Sequence, residues 1–442
     1  MDTEIKRFAD VVRRNIRYGR IPDMEDIEMG MRDAALRDGS TALSKLLSEI
    51  PDVFEEGIIC PVCNNKMESI GRKEKSMVTL LGEGTLSRSY YECIDPNCRQ
   101  HRFFKDEQLD IARTSFSPGL RRLMSKIGSS DPFYQDSINL KEFSGIEVQA
   151  KDIERVAESL GSKFEEMNQN EIGKYYSKYP EPMKKTIPVM YLECDGTGVP
   201  VTPKELAGRQ GKQEDGTART REAKIGCVFT QTTTDKEGKP VRDKDSTTYV
   251  GAIEPVDSFA KRLEAEAVRR GYWQSEKVVI LGDGAKWVWR LADEHFHDAT
   301  QIVDYYHASE HLHDLLQKIF PVSDQLKAET PGWIDLLEQG NIEEIISKVN
   351  NIYFPEAVPE SISKGITYFE QNIEKMRYLH FKKLGFFIGS GVVEAGCKTI
   401  IGKRLKQSGM RWSVKGANSI IALRCSMNSG RFDEQWDGRN VS

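Results

Sequence analysis

Pro188 to Pro200 reads P-V-M-Y-L-E-C-D-G-T-G-V-P. Apolar, β-branched and aromatic residues run into an acid, Asp195, and two glycines with a threonine follow. That order predicts a strand whose end presents one carboxylate beside a tight turn. A lone strand-end aspartate is ordinarily a turn-former. A second copy of the pattern changes the reading: Lys277 to Asp283 reads K-V-V-I-L-G-D, and Gly284 follows. Two strands that each end in Asp-Gly can lie side by side and bring two carboxylates together. Such a pair repels unless a divalent cation lies between. The rest of the chain is then expected to supply a third acid and to bring a phosphate to that cation.

The chain has 442 residues, room for two to four domains. It is 38% hydrophobic and 30% charged, as a soluble globular protein is. No run of 18 apolar residues predicts a membrane span, and the start, M-D-T-E-I-K-R, has no apolar core of a signal peptide. The expected location is the cytoplasm, at the nucleoid. Of eight cysteines, four lie between Cys60 and Cys98; Cys194, Cys227, Cys397 and Cys425 are scattered in apolar or small-residue settings. This suits a metal site plus buried thiols better than a disulfide framework. The net charge of −5 argues weakly against nucleic acid, but local charge matters more than the sum.

Residues 1–55 are expected to be helical, an amphipathic helix with Ile5, Phe8, Val12 and Ile16 near one face. Residues 56–110 are expected to form a zinc-ribbon-like unit. Cys60-Pro-Val-Cys63 opens it and Cys93-Ile-Asp-Pro-Asn-Cys98 closes it, four soft ligands for a tetrahedral, structural Zn²⁺. His101 is an alternative to Cys98. Short strands with turns at Asn64-Asn65 and Gly82-Glu83-Gly84 fill the interval. Arg88, Arg99, Arg102, Lys105, Arg121 and Arg122 could face phosphate, or the ribbon could be purely structural. Residues 111–180 read as a helical unit. Ile138, Leu140 and Phe143 precede Ser144-Gly145-Ile146, then Ile153, Val156, Ala157 and Leu160 recur at helical spacing, with Gly161 as a stop. This is a helix-turn-helix pattern, shared with many plain helical hairpins. Lys151, Arg155 and Ser159 would face outward and could read DNA. Tyr175 to Pro188 reads as a linker.

Residues 188–314 are expected to form the first part of a catalytic core. Strands at Pro188–Pro200, Glu222–Asp235 and Thr247–Glu254 form a meander. A helix from Pro255 to Gly271, the strand ending in Asp283, a helix through Trp287, Trp289 and Leu291, and a strand Thr300–Val303 follow. That is a mixed sheet with helices packed on it, the order of a ribonuclease H-like core. Asp304-Tyr-Tyr-His307 comes next, with Glu310, His311 and His313. His307 and His311 could form a zinc pair, but no third ligand has suitable spacing. Between Asp283 and Glu394 lie 110 residues, too many for a loop, so 315–385 is expected to be an all-α insertion. Residues 386–442 return to the core. Ser390 is a candidate N-cap, and Glu394 lies in the first turns, where the macrodipole favours a carboxylate. From Ala395 to Phe432 there is no Asp or Glu, while Lys398, Lys403, Arg404, Lys406, Arg411, Lys415, Arg424 and Arg431 lie there with Trp412. A segment so one-sided beside acids predicts a polyanion lying across it.

These stretches are familiar together. D-G-T-G-V-P, T-R-E-A-K-I-G-C-V-F-T, S-T-T-Y-V, L-G-D-G-A-K-W-V-W, D-Y-Y-H-A-S-E-H-L, I-G-S-G-V-V-E-A-G-C-K and L-K-Q-S-G-M-R-W-S-V-K-G-A-N resemble the ISKra-type DDE transposases of bacterial insertion sequences, in order from about Cys60 to Trp436. The resemblance implies a multidomain α/β protein with a ribonuclease H-like core and an acidic triad at Asp195, Asp283 and Glu394. It places Asp304-x-x-His307 near the active site and makes the N-terminal units a DNA-end-binding region. Two Mg²⁺ (or Mn²⁺) ions, about 3.5–4 Å apart, would then sit across the triad for cleavage and strand transfer. His307 would orient a phosphate or water, with Asp304 fixing its ring. Arg411 and Trp412 would clamp a strand by charge and stacking. The expected partners are double-stranded DNA, as terminal inverted repeats and as target, and further copies of the chain in a homodimer or larger assembly. No membrane is expected.

Overall fold

The computed structural model describes residues 3–52, 57–176, 184–211, 218–352 and 358–439. The chain divides into two compact units, Met1–Ser159 with Gly438–Ser442, and Leu160–Asp437.

The first unit opens with helices α1 (Glu4–Arg17) and α2 (Met24–Glu49), capped by the side chains of Thr3 and Asp23. The ribbon that follows is one long antiparallel hairpin rather than short runs: β1 (Met67–Thr79) pairs along its length with β2 (Gly82–Cys93). Gly82 therefore lies in a strand, and the turn is at Leu80-Leu81. The strand β3 (His101–Arg102) adds to β2, and a short helix α3 (Phe104–Gln108) closes the ribbon. Three helices come next: α4 (Pro118–Gly128), α5 (Phe133–Ser144) and α6 (Ala150–Tyr176). Phe116, Leu120, Met124, Leu140, Ile146, Val148, Ile153 and Val156 form their core. Gly145 ends α5 at φ 74°, the left-handed cap that favours glycine.

Gly161 does not stop α6, which runs on for four more turns to Tyr176, and the boundary between the units falls inside the helix. A Cβ at Gly161 would collide with the Ser419 backbone carbonyl, so the residue is small because another helix crosses there. Tyr175 and Tyr176 belong to this helix and not to a linker; residues 177–183 lie outside the described ones.

The second unit is built on a five-stranded mixed sheet. The meander β4 (Ile187–Pro200), β5 (Thr220–Gln231) and β8 (Thr248–Ala252) is antiparallel, with a two-stranded ribbon, β6 (Thr233–Thr234) and β7 (Pro240–Val241), between β5 and β8. The Asp235–Gly238 turn belongs to that ribbon. The helix α7 (Val256–Arg269) leads to β9 (Ser275–Gly282), parallel to β4, and α8 (Lys286–His295) leads to β10 (Thr300–Val303), parallel to β9. The order across the sheet is β10-β9-β4-β5-β8, and only β5 runs against the others. β4 is central, and Val189 to Leu192 with Cys194 are buried, the near-continuous apolar run of an inner strand.

Helices then dominate: α9 (Tyr305–Ile319), α10 (Ser323–Gln339), α11 (Ile342–Ile352), α12 (Glu360–Asn372) and α13 (Tyr378–Lys383). The chain returns to the sheet through α14 (Gly391–Gly396), a π-helical turn at Cys397–Gly402, α15 (Lys403–Leu405) and α16 (Val414–Asn428). Gly161→Ala is expected to destabilise the protein by about 1–3 kcal/mol, the cost of overpacking a close crossing. A lowered midpoint of chemical denaturation, with its slope unchanged, would show it.

Candidate active site

Because side chains alternate along a strand, Tyr191, Glu193 and Asp195 share one face of β4. All three hold the returning segment. The Tyr191 hydroxyl accepts the Phe387 N–H at 3.2 Å and donates to Gln231 Oε1 at 2.5 Å. Glu193 Oε2 accepts the Val393 N–H at 2.8 Å. Asp195 accepts a hydrogen bond from the Cys397 thiol, and its Oδ1 accepts the Gly196 N–H at 2.6 Å. The last pair of the β4–β9 ladder is Glu193 with Leu281, and the same register continued by two residues sets Asp195 level with Asp283.

Asp304 supplies a second anchorage. It is fully buried at the end of β10. Its own N–H donates to the Gly282 carbonyl at 2.8 Å, beside Asp283. Its Oδ1 accepts the His307 backbone N–H at 2.8 Å and so caps α9, and its Oδ2 accepts the Ser390 N–H. Asp304 therefore holds the His307 backbone; the imidazole Nδ1 faces Glu310 at 3.4 Å. The expectation that Asp304 fixes the ring is corrected accordingly. Ser390 occupies the cap position of α14 but makes no side-chain cap. The first N–H groups of that helix, unpaired within it, are met by Asp304 and Glu193 instead.

Glu394 follows directly in the first turn of α14, half exposed, with Lys398 at 3.9 Å. Ligand atoms of Asp304, His307 and Glu394 lie within 4.8 Å of one another. Asp195 and Asp283 are not members of that group, but the charge of Asp283 is felt at Asp195. Burial, followed by that like charge, raises the Asp195 pKa, against the hydrogen bonds from Cys397 and Gly196 and the charge of His307. Burial pushes the Cys397 thiol well up, with Asp195 adding to the rise and Glu394 a smaller contributor. A cluster of oxygen donors with one imidazole and crowded like charge fits a hard divalent cation.

Sequence reading missed four residues here as site residues. Glu193 could have been found as an acid in an apolar strand, two residues before Asp195. Cys397 and Ser390 carry no such signal. Tyr368 comes from α12: its hydroxyl donates to the Asp283 carbonyl at 3.2 Å, and its ring stacks on His311 with centroids 3.9 Å apart. Gly284 has φ 94°, and a Cβ there would press on Tyr368. His311 is thus a packing residue, its pKa lowered by burial, and not half of a zinc pair.

The basic segment is split by burial. Lys398, Lys403, Lys406, Arg411 and Lys415 are exposed. Arg404 and Trp412 are not: the guanidinium lies 4.9 Å over the indole, both are buried, and the Trp412 N–H donates to the Leu405 carbonyl at 3.2 Å. They pack the core, so the expected base stacking on Trp412 and phosphate contact by Arg404 are corrected. Arg424 bonds the Ile400 and Thr399 carbonyls, and Arg431 pairs with Glu171.

In the first unit, Cys60, Cys63, Cys93 and Cys98 place their sulfurs within 4.8 Å of one another. Cys60 and Cys98 are 3.6 Å apart, and Cys63 and Cys93 are 3.3 Å apart. A tetrahedral tetrathiolate site needs about 3.8 Å between sulfurs, so the set fits one. His101 is outside it, packed on Tyr90 and Phe103. Two matching knuckles hold the thiols. The Cys60 N–H donates to the Asn65 carbonyl at 2.7 Å, and Cys93 to Gln100 at 2.9 Å. In each, the residue after the second cysteine has positive φ: Asn64 at 57° and Arg99 at 49°. The extra residues of the second loop are absorbed by a turn in which Asp95 accepts from Asn97 and Cys98. The N–H groups of Cys63 and Val62 pull the Cys60 thiol down to about 7. Of the expected phosphate contacts on the ribbon, Lys105 is buried on the Ile50 carbonyl and Arg88 pairs with buried Asp106. On α6, Lys151 and Arg155 are exposed yet pair with Glu154 and Asp152 of the same helix, at 2.8 and 2.7 Å.

The chain belongs to the uncharacterised protein family UPF0236, whose model matches residues 23–436. No curated protein matches. Among solved structures, one similar chain is in the Drosophila P element transposase strand transfer complex, at 9% identity and a TM-score of 0.26, covering 76% of this chain and 83% of that one. Among the described residues no helix is long and apolar enough to cross a membrane.

Glu193 yields a prediction. It is fully buried, and its Oε1 has no partner among the described residues. Burial, partly offset by the Val393 N–H, pushes its pKa up from 4.5 to about 8. A folded pKa above the unfolded one contributes stability that is whole below the unfolded value and lost as pH rises through the folded one. Stability should therefore fall between about pH 4.5 and 8, and Glu193→Gln should flatten that slope. Denaturation midpoints across this range measure it.

Proposed function

We propose that this chain is a DDE-type DNA transposase of the ISKra type, binding the ends of an insertion sequence and carrying out metal-dependent cleavage and strand transfer. What supports the reading is that Asp195 and Asp283 end adjacent parallel strands, while Glu394 lies with Asp304 and His307 in a group that could hold a metal ion. The register of those strands, continued by two residues, sets Asp195 level with Asp283, and the buried carboxylates of Glu193 and Asp304 hold the backbone that carries Glu394. The strand order, with one reversed strand beside the central one, supports a ribonuclease H-like core.

On this reading Asp195, Asp283 and Glu394, with Asp304 and His307 beside them, hold Mg²⁺ or Mn²⁺ as ligands and not as general acids. Bound there, the ions would supply Lewis-acid stabilisation of charge on a phosphodiester and a more acidic water. His307 is half exposed at the head of α9, placed to hydrogen-bond a phosphate oxygen or water. Lys398, Lys403, Lys406, Arg411 and Lys415 offer charge to the DNA backbone beyond the acids. Lys406 is held on Thr197, two residues past Asp195, which sets the start of that track at the site. The Cys60, Cys63, Cys93 and Cys98 ribbon would hold Zn²⁺ and, with α4–α6, act as the end-binding region. Lys151 and Arg155 would reach DNA there by exchanging their helix-internal pairs for phosphate. Cutting two ends calls for two copies of the chain.

The test uses a pre-cut 3′-OH end. The wild type should join it to target DNA. Asp195→Asn should lower cleavage and joining by about 10³-fold or more, since metal stabilisation is worth several kcal/mol, while end binding persists. Cleavage without joined product would favour a nuclease on the same core, and equal loss of binding would make Asp195 structural. A second measurement concerns the ribbon. The purified protein should carry one zinc per chain, and chelation or Cys63→Ser should abolish end binding and open the ribbon to protease.

A further inference from the structure

The helical hairpin α1–α2 ends in a tip that its own unit leaves uncovered. Over α1 no residue is buried, and over α2 only Ala34 is. The far half of α2 is tied down: Ser40 donates to the Glu83 carbonyl, the Thr85 N–H donates to Ser44 at 3.1 Å, and Arg32 reaches the Glu142 carbonyl at 3.1 Å. α1 packs chiefly on α2, joined by the Asp38 carboxylate, which accepts the Glu4 and Ile5 N–H groups. Beyond these ties the turn between the helices projects four large apolar side chains. Ile16 is 49% exposed, Tyr18 78%, Ile21 80% and Met24 66%. Contiguous apolar surface of this kind, rimmed by charge, marks an interaction site.

The rim is divided by sign. Arg14, Arg17 and Arg20 lie on the α1 side of the turn, and Glu25, Asp26 and Glu28 on the α2 side. Among the described residues none of these six side chains has an ion-pair partner. A surface that carries an apolar centre between a basic and an acidic edge is complementary to its own copy rotated by a two-fold axis. Each basic edge then meets the partner's acidic edge, and the two apolar tips meet in the middle. A nucleic acid would suit only the basic edge and be repelled by the other.

We propose that the α1–α2 tip is the face through which two copies of this chain pair, tip to tip and isologously. The pairing does not depend on catalysis, so it can fail while the transposase reading stands, and the converse. The apolar tip supplies the affinity, and the charged edges set register and exclude the parallel arrangement.

Sedimentation of the full chain, without DNA, tests it. The wild type should be a dimer. Ile21→Asp with Met24→Asp should weaken self-association by about tenfold or more, the value of two apolar side chains withdrawn per copy, with far-UV dichroism and melting unchanged. Arg17→Glu with Arg20→Glu should weaken it as well. So should Glu25→Lys with Glu28→Lys. An equimolar mixture of these two charge-reversed chains should recover the dimer. A wild type that stays monomeric, a dimer indifferent to Ile21→Asp, or charge-reversed chains that fail to pair with each other would each overturn the proposal.

Discussion

One face of β4 governs the acid centre. Tyr191, Glu193 and Asp195 stand at successive same-side positions and grip Phe387, Val393 and Cys397 in turn. The first two contacts are made to backbone N–H groups of the returning segment, so the segment's path is set by the strand and not by its own side chains. Asp304 adds a bond to Ser390 from the far side. Four tethers across residues 387–397 leave Glu394 little freedom other than its own rotamer. Glu394 is carried on a backbone already held to β4 and to Asp304.

The tethers solve an electrostatic problem as well. Burial, and then the like charge of Asp283, disfavour the ionised form of Asp195. The hydrogen bonds that oppose this come from neutral donors, the Cys397 thiol and the Gly196 N–H. Burial pushes the Glu193 pKa up to about 8, so its uncharged form is favoured where an ordinary glutamate is ionised. A π-helical turn follows at once in Cys397–Gly402, and widened turns of this kind often accompany functional sites. Here it turns Cys397 back toward Asp195.

Much of this was legible in the sequence, and the failures have physical causes. Asp195 and Asp283 stood out because each ends an apolar run, and the mixed sheet followed from the order of strands and helices. Glu193 was hidden inside the first run, although a period of two puts it on the face of Asp195. Its partner Val393 carries no local sign, because a backbone N–H belongs to every residue type but proline. Gly161 looked like a helix stop because that signal is local, whereas its reason is a carbonyl of α16 far along the chain. Arg404 and Trp412 counted toward a one-sided charge run, but a run of like charges says nothing about which of them point inward. Cys98 was legible by type and less so by spacing. The Asp95 turn shows why the longer gap still closes the same knuckle.

The 110 residues between Asp283 and Glu394 do more than connect them. Closure entropy grows only logarithmically with loop length, so a long excursion costs little more than a short one. What it must not do is loosen the ends it joins. α12 prevents this by returning Tyr368 to the site, where the hydroxyl holds the Asp283 carbonyl and the ring covers His311. Gly284, bare of a side chain and at positive φ, is what lets the ring approach so closely. α12 thus packs beside Asp283 and His311, and α9 carries His307 on the cap that Asp304 provides.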